Sequence, residues 1–271
     1  MFANKILVVF LLIYAKSISA QGLIPMGARS MSMANCSVSN VDLWAHHHNP
    51  GAIASLSKIQ AGVSYENRFL NREMQSQGFV VVLPLKVGVM SVGGSGFGYS
   101  QLRTYKAGMG YAMQLAEYVK LGVQLNYQTI RINPVYGNGH GLTAEVGVLT
   151  QLNEKTTIGL GVFNLGRTIS SEFALDRYST CMRLGMSYFI SKEVMYNAEI
   201  EKDVEHPLRL KNAIEYKPLE HFTLRGGVAT EPLELSFGFG YNIQPNFSFN
   251  AGCSFVHILG WSPHFSFQYG F

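Results

Sequence analysis

The sequence predicts an all-β protein, a 14-stranded antiparallel transmembrane β-barrel with a short N-terminal plug segment. Three observations carry that expectation. Beyond Lys58 the chain alternates apolar and polar residues with a period of two, the pattern of strands with one apolar face. Most alternating segments reach the ~9–11 residues of a tilted membrane crossing and exceed the ~5–6 residues usual in soluble sheets. Phenylalanine (17) and tyrosine (14) are abundant while charged residues make up only 14%, which leaves aromatic rings on a face that a soluble sheet would have to hydrate. Hydrocarbon offers no partner to a backbone N–H or C=O, so strands that cross it must close into a ring.

Residues 1–20, MFANKILVVFLLIYAKSISA, read as a secretory signal peptide. Lys5 supplies the positive start, Ile6 to Ala15 the apolar core, and Ser17 to Ala20 the small residues of a cleavage site. That core is too short to span a bilayer as a helix. No cysteine stands at the cleavage point, so no lipid anchor is expected and the mature chain should begin near Gln21. Residues 21–57 are expected to form the plug, or hatch, and residues 58–271 the barrel. The alternating segments fall at roughly 58–68, 75–84, 86–100, 104–115, 118–132, 141–152, 155–164, 178–190, 192–203, 207–217, 221–230, 233–243, 246–258 and 263–271. Tight connections near Leu85, Ala116, Asn153, Ser191, Pro218 and Gln244 alternate with longer ones over Asn67–Met74, Asn133–His140, Leu165–Arg177 and Ile258–Ser262. Short turns belong on the periplasmic side of such barrels, which puts both termini there. Phe265, Phe267, Tyr269 and Phe271 share one face of the last segment. A terminal aromatic strand resembles the assembly signal of bacterial outer-membrane barrels, so Phe271 is expected to engage the barrel assembly machinery.

The alternation also assigns faces. In segment 246–258, Phe247, Phe249, Ala251, Cys253 and Phe255 point one way, and Asn246, Ser248, Asn250, Gly252 and Ser254 the other. Segment 233–243 sets Leu235, Phe237, Phe239 and Tyr241 against Glu234, Ser236, Gly238 and Gly240; segment 118–132 sets Val123, Leu125 and Tyr127 against Gln124, Asn126 and Gln128. The apolar sets should meet outer-membrane lipid and the polar and glycine sets the lumen. The same parity places Glu199, Glu201, Arg209, Lys211 and Glu215 inside, with Arg183 and Arg225 on the flanking strands. One register of a hairpin over these residues pairs Glu201 with Arg209 and Glu199 with Lys211, which would make a ladder of opposite charges. Two readings follow: ion pairs bracing the wall, or a polar constriction that orients an amphipathic ligand.

The stretch SNVDLWAHHHNPGAIA, residues 39–54, carries three consecutive histidines. Neighbouring helical residues point about 100° apart, so His46, His47 and His48 cannot grip one metal from a single turn, and zinc sites use wider spacings. Ser39 or Asn40 is expected to cap a short helix over residues 41–47. Pro50 disfavours helical geometry at Asn49 and ends it there, and Gly51 allows a tight reversal. The expected outcome is a helix end with one imidazole packed and the others solvated, and with a pH-sensing role if the segment moves.

These residues resemble the N-terminal signature of the FadL/PorV-like outer-membrane barrels. The matching positions are Gly27-Ala28-Arg29-Ser30, Met33-Ala34, Asp42, Trp44 and Asn49-Pro50-Gly51-Ala52-Ile53-Ala54. The sequence departs from the family pattern at Ala34-Asn35-Cys36. The resemblance implies fourteen strands, a plug, and passage of a small hydrophobic or amphipathic compound. It also implies an alternative, a partner or scaffold of a type IX protein secretion complex.

Other classes find little support. A formal charge of +4 without a basic tract gives no footing for nucleic acid. Cys36, Cys181 and Cys253 suggest neither a disulfide framework nor a zinc site, and the latter two read as small wall residues. There is no Gly-x-Ser-x-Gly, His-Glu-x-x-His or phosphate loop. His140 and His206 fall at the outer rim and His221 at the inner one, with no nucleophile beside them. No catalytic residue, cofactor or metal is expected, and an outer-membrane hydrolase is the remote alternative.

Overall fold

The computed structural model describes residues 24–132, 138–165, 179–204 and 206–271. The expected signal peptide, residues 21–23 of the expected plug, and much of the connections expected at 133–140 and 165–177 lie outside these. Every alternating segment is a strand. In chain order they are β1 (Gln60–Asn67), β2 (Gln75–Pro84), β3 (Val89–Gly98), β4 (Leu102–Ala116), β5 (Val119–Ile132), β6 (Asn138–Asn153) and β7 (Thr156–Leu165). The second half comprises β8 (Cys181–Phe189), β9 (Val194–Asp203), β10 (Arg209–Leu219), β11 (Phe222–Ala229), β12 (Glu234–Gln244), β13 (Phe247–Val256) and β14 (Gly260–Gly270).

Each strand pairs antiparallel with its sequence neighbours, and β1 closes the ring on β14 from Gln60 opposite Gly270 to Glu66 opposite His264. The protein is a closed fourteen-stranded barrel, so no sheet edge is left to hydrocarbon. Turns such as Glu117-Tyr118, Glu154-Lys155 and Glu220-His221 sit at the end that carries the start of β1. The longest described connection, residues 68–74, lies at the other end.

The faces invert the pattern of a soluble protein. On β5, Gln124 and Asn126 are each 1% exposed while Leu125 is 70% exposed. On β12, Glu234 and Ser236 are buried while Leu235, Phe237, Phe239 and Tyr241 are exposed. The outward belt of aliphatic and aromatic side chains is what a hydrocarbon surround requires. Not all of the lumen is polar: Val80 and Val82 of β2 and Val89 of β3 also point inward and are buried.

The interior is occupied. Residues 26–53 run through it as α1 (Ala28–Met31), α2 (Ala45–His48), a 3-10 turn over Pro50–Ser55 and irregular links, and most of their side chains are buried. The expected helix over residues 41–47 is corrected to the shorter α2, which starts after Trp44 and has no side-chain cap. Contacts with the wall decide the path here, leaving no room for a longer cylinder. Asn49 is extended (φ −166°, ψ 96°) ahead of Pro50, as the proline requires. The glycines on the inner wall make the close fit possible. A Cβ at Gly122 would lie 2.3 Å from the Pro50 carbonyl, one at Gly147 2.1 Å from Asn49 Oδ1, and one at Gly159 2.1 Å from the Val38 carbonyl oxygen.

Candidate functional site in the lumen

The charged hairpin has the expected register, with Arg209 opposite Glu201 and Lys211 opposite Glu199. The period of two turns all four side chains inward. The ion pairs differ from the expected ladder in one rung. Lys211 Nζ donates to Glu199 at 2.8 Å, as expected, but also to Glu201 at 2.5 Å. Arg209 does not reach Glu201; it donates to Glu234 of β12 at 2.5 Å and to the Thr230 carbonyl at 3.2 Å. Glu201 is instead held by Lys211 and, at 3.5 Å, by Arg183. Two cations on the neighbouring strand and diagonal position outcompete the direct partner, and Arg209 turns to the unclaimed carboxylate.

Glu199 is the centre of this cluster. One oxygen accepts from the Arg183 guanidinium at 2.7 Å and from Lys211. The other accepts from the backbone N–H groups of Ser37 and Val38 at 2.8 and 2.9 Å. Arg183 and Lys211 in turn donate to the Asn35 carbonyl at 2.6 and 3.2 Å. The wall charges therefore hold the N-terminal segment by its backbone. Removing one member of so buried a network leaves an unpaired charge, at a cost of about 3–5 kcal/mol.

A second cluster does the same for residues 29–42. Glu215 accepts both Nε and an Nη of Arg29 at 2.9 and 3.0 Å, and Arg225 Nε at 2.6 Å. Arg29 also reaches Asp42 at 3.0 Å, and Arg225 donates to Asn250 at 2.8 Å. Burial opposes the charge on Arg29, but Glu215 and Asp42 outweigh it and raise its pKa above the ordinary value. Burial and Glu199 push the Cys36 thiol upward, so it stays protonated. The sequence motif contained Arg29 and the parity contained Glu215, yet their pairing depends on which strand the segment meets; within the wall itself, Lys106 of β4 pairs with Glu145 of β6.

The three histidines are all buried, which corrects the expectation of two solvated rings. His46 Nδ1 meets Ser91 Oγ of β3 at 2.8 Å, and His48 Nε2 meets the Met26 carbonyl at 2.6 Å. His47 stacks on Trp44 at a centroid distance of 6.2 Å and meets His46 edge-on. Burial, followed by nearby positive groups, holds His46 and His47 well below the ordinary imidazole pKa and brings His48 down to about 3. Asn49 explains its place in the motif. Its Nδ2 donates to the carbonyls of Val38 (2.6 Å) and Val148 (3.0 Å), while Oδ1 accepts from Gly51 N–H at 3.0 Å. Gly51 itself abuts the Gly147 carbonyl, so its role is close approach more than reversal. Trp44 packs with Leu43, Met26, Val80 and Val82 in an apolar patch of the lumen.

Two cavities flank the occupied zone. One of about 250 Å³ opens at the end away from Phe271, with Arg183, Glu201, Arg209, Lys211 and Glu234 at its base and Phe69, Pro232 and Leu259 among the apolar residues around it. The other, about 410 Å³, lies at the opposite end beside Val41, Ser55 and Lys120. Arg225 and Asp42 line neither. Among the described residues no group of three or more His, Cys, Asp or Glu side chains is placed to hold a metal ion.

Solved structures supply the comparison. The chain superimposes on the CymD monoaromatic hydrocarbon channel with a TM-score of 0.71 and 13% identity, covering 93% of this chain and 99% of that one. It has the fold of the FadL-like outer-membrane barrels. The Ralstonia pickettii toluene transporter TbuX gives 0.68 and 12%, over 92% and 99% of the two chains. A Pseudomonas aeruginosa FadL homologue gives 0.67 and 11%, over 93% and 99%. At these identities the likeness shows the fold. No family model matches the sequence, and no curated protein matches it.

Proposed function

We propose that this FadL-like barrel is an outer-membrane channel for a small hydrophobic or amphipathic compound, with residues 21–57 as its plug and both termini periplasmic. The observation that carries this is a lumen sealed by a segment tied to the wall through polar contacts, with a separate cavity at each mouth. Polar contacts can exchange partners with one another and with water as the plug shifts, so the apolar packing of Trp44, Leu43 and Met26 on Val80 and Val82 is the part that has to separate. The compound enters the cavity above Arg183, Glu201, Arg209 and Lys211, and crosses when the segment around Trp44 and His46–His48 moves aside. The fold shared with hydrocarbon channels supports a channel over a catalyst. Phe271, at the end of the aromatic strand, is the handle for the assembly machinery. The test is uptake of labelled toluene and phenol by outer membranes lacking the protein and by membranes to which it has been restored. Restoration should raise uptake severalfold. Equal uptake, with a secretion complex copurifying instead, would replace this reading with the type IX partner role.

A further inference from the structure

On the outer face of the wall, near the end away from Phe271, Arg103 of β4 and Arg131 of β5 stand directly opposite each other on paired strands. Their parity is that of Tyr105 and Leu125, so both face outward, and both are exposed. Like charges placed in this way repel. The inward cations of the wall, Lys106, Arg183, Arg209, Lys211 and Arg225, each meet a carboxylate. Arg103 and Arg131 have no ion-pair partner among the described residues; Arg103 donates to the Tyr105 hydroxyl at 3.2 Å. The residue opposite Arg131 on its other side is Asn138 of β6, which brings no charge.

Polarity falls in steps from this pair toward the middle of the wall. The next outward rung, about 7 Å along the strands, sets Gln77, Tyr105 and Thr129 in a row, and the rung after it Phe79, Ala107 and Tyr127. On β3 the same two rungs are Gly96 and Gly94, which put no side chain on the outer face. Phe79 and Tyr105 lean onto these glycines: a Cβ at Gly94 would lie 2.9 Å from the Phe79 ring, and one at Gly96 3.1 Å from that of Tyr105. Tyr127 is held by His140, whose Nδ1 meets its hydroxyl at 2.9 Å. The result is a groove of about 730 Å³ in the outer surface, lined also by Val63 and Phe267. β3 pairs with β2 and with β4 without a register shift, so the floor is unbroken sheet and an occupant stays outside the lumen.

We propose that this face holds a phosphate-bearing lipid of the surrounding membrane, its phosphate bridging Arg103 and Arg131 and an acyl chain lying in the groove over Gly94 and Gly96. A phosphate between two guanidinium groups turns their repulsion into charge-assisted hydrogen bonds. The row of Gln77, Tyr105 and Thr129 meets the polar region where head and chain join, and the groove below meets the hydrocarbon. A free phosphate would leave the groove empty, and an uncharged lipid would leave the arginines opposed. The site lies outside the barrel and stands whether or not the lumen conducts.

The experiment is native mass spectrometry of the full-length detergent-extracted protein titrated with dioleoyl phosphatidic acid, dioleoylglycerol and glycerol 3-phosphate. These carry phosphate and chains, chains alone, and phosphate alone. Phosphatidic acid should bind about tenfold or more tighter than either of the others, the worth of one hydrogen bond to a charged group. Arg103→Gln combined with Arg131→Gln should lower it to the level of dioleoylglycerol. Ala107→Phe fills the groove from an exposed outward position and should weaken phosphatidic acid severalfold with both arginines intact. Lys155→Gln, in a turn at the opposite end, should change nothing. The heat-dependent gel shift shows that each variant is folded. Equal binding of phosphatidic acid and dioleoylglycerol, equal binding of glycerol 3-phosphate, no effect of Ala107→Phe, or a loss as large for Lys155→Gln as for the arginine pair would each overturn the proposal.

Discussion

At the scale of single residues, the buried histidines carry the clearest consequence. His48 titrates near 3 in the folded protein and near 6.5 when exposed, with His46 and His47 shifted in the same direction. The unfolded or released segment therefore binds more protons than the seated one as pH falls below 6.5. Stability rises with pH in that window, so the histidines' penalty is absent above about 6.5 and grows as pH drops toward 3. A proton on His48 would join the positive charges of Arg183, Lys211 and Lys106, which face it from β8, β10 and β4. The expected outcome is plug release in acid before the barrel opens. Trp44, stacked on His47, reports it: in a Trp261→Phe background, Trp44 emission should shift red between pH 6.5 and 4 while the protein keeps its folded mobility in unheated gels. Emission that stays constant to pH 4 would contradict this. The sequence displayed the His run plainly, but nothing local to it revealed burial. That came from β3 and from the backbone of Met26, both outside the stretch.

At the scale of elements, the strands were legible and the plug's internal structure was not, for one physical reason. A strand in a barrel repeats the same two environments along its length, so the alternation of residues such as Val123 to Gln128 suffices to place it. One register of the β9–β10 hairpin sets two couples of opposite charge against each other, which is why the opposition of Glu199 to Lys211 was available in advance. The plug has no repeat. Its course is set by where the inner wall lets a backbone approach, and those places are the inward glycines, which the sequence displays only as small residues on a polar face. Gly122→Ala tests this seat, because the added methyl would collide with the backbone of Pro50 at 2.3 Å and cannot be relieved by a side-chain rotation. The plug should become susceptible to protease around residues 40–55 while the barrel retains its heat-dependent gel shift. Gly226→Ala, whose methyl would meet nothing closer than 3.9 Å, serves as the control and should leave the plug protected. Equal protection in both variants would mean that the glycines do not position the segment.

At the scale of the whole molecule, the inside-out distribution of polarity makes the surrounding solvent part of the fold. Gln124 and Asn126 are sequestered while Leu125 between them is among the most exposed side chains of the wall. In water this arrangement would hide hydrogen-bonding groups and display hydrocarbon; in a bilayer both are favourable. The energetic signature is a dependence on depth. An arginine on the lipid face costs about 2–4 kcal/mol at the bilayer midplane and about 0–1 kcal/mol near the interface. Leu125 lies midway along β5, whereas Tyr118 sits in the turn that precedes it, and both are exposed. Leu125→Arg should therefore lower the free energy of unfolding from lipid vesicles, measured by urea titration, by ~2–4 kcal/mol, and Tyr118→Arg by less than ~1 kcal/mol. The contrast matters more than either value. A globular protein with accidental surface leucines would tolerate both arginines alike, because each would be solvated. If the two variants unfold at the same urea concentration as the parent, water surrounds this wall, the closed ring has no hydrocarbon to exclude, and a channel through it would have no membrane to cross.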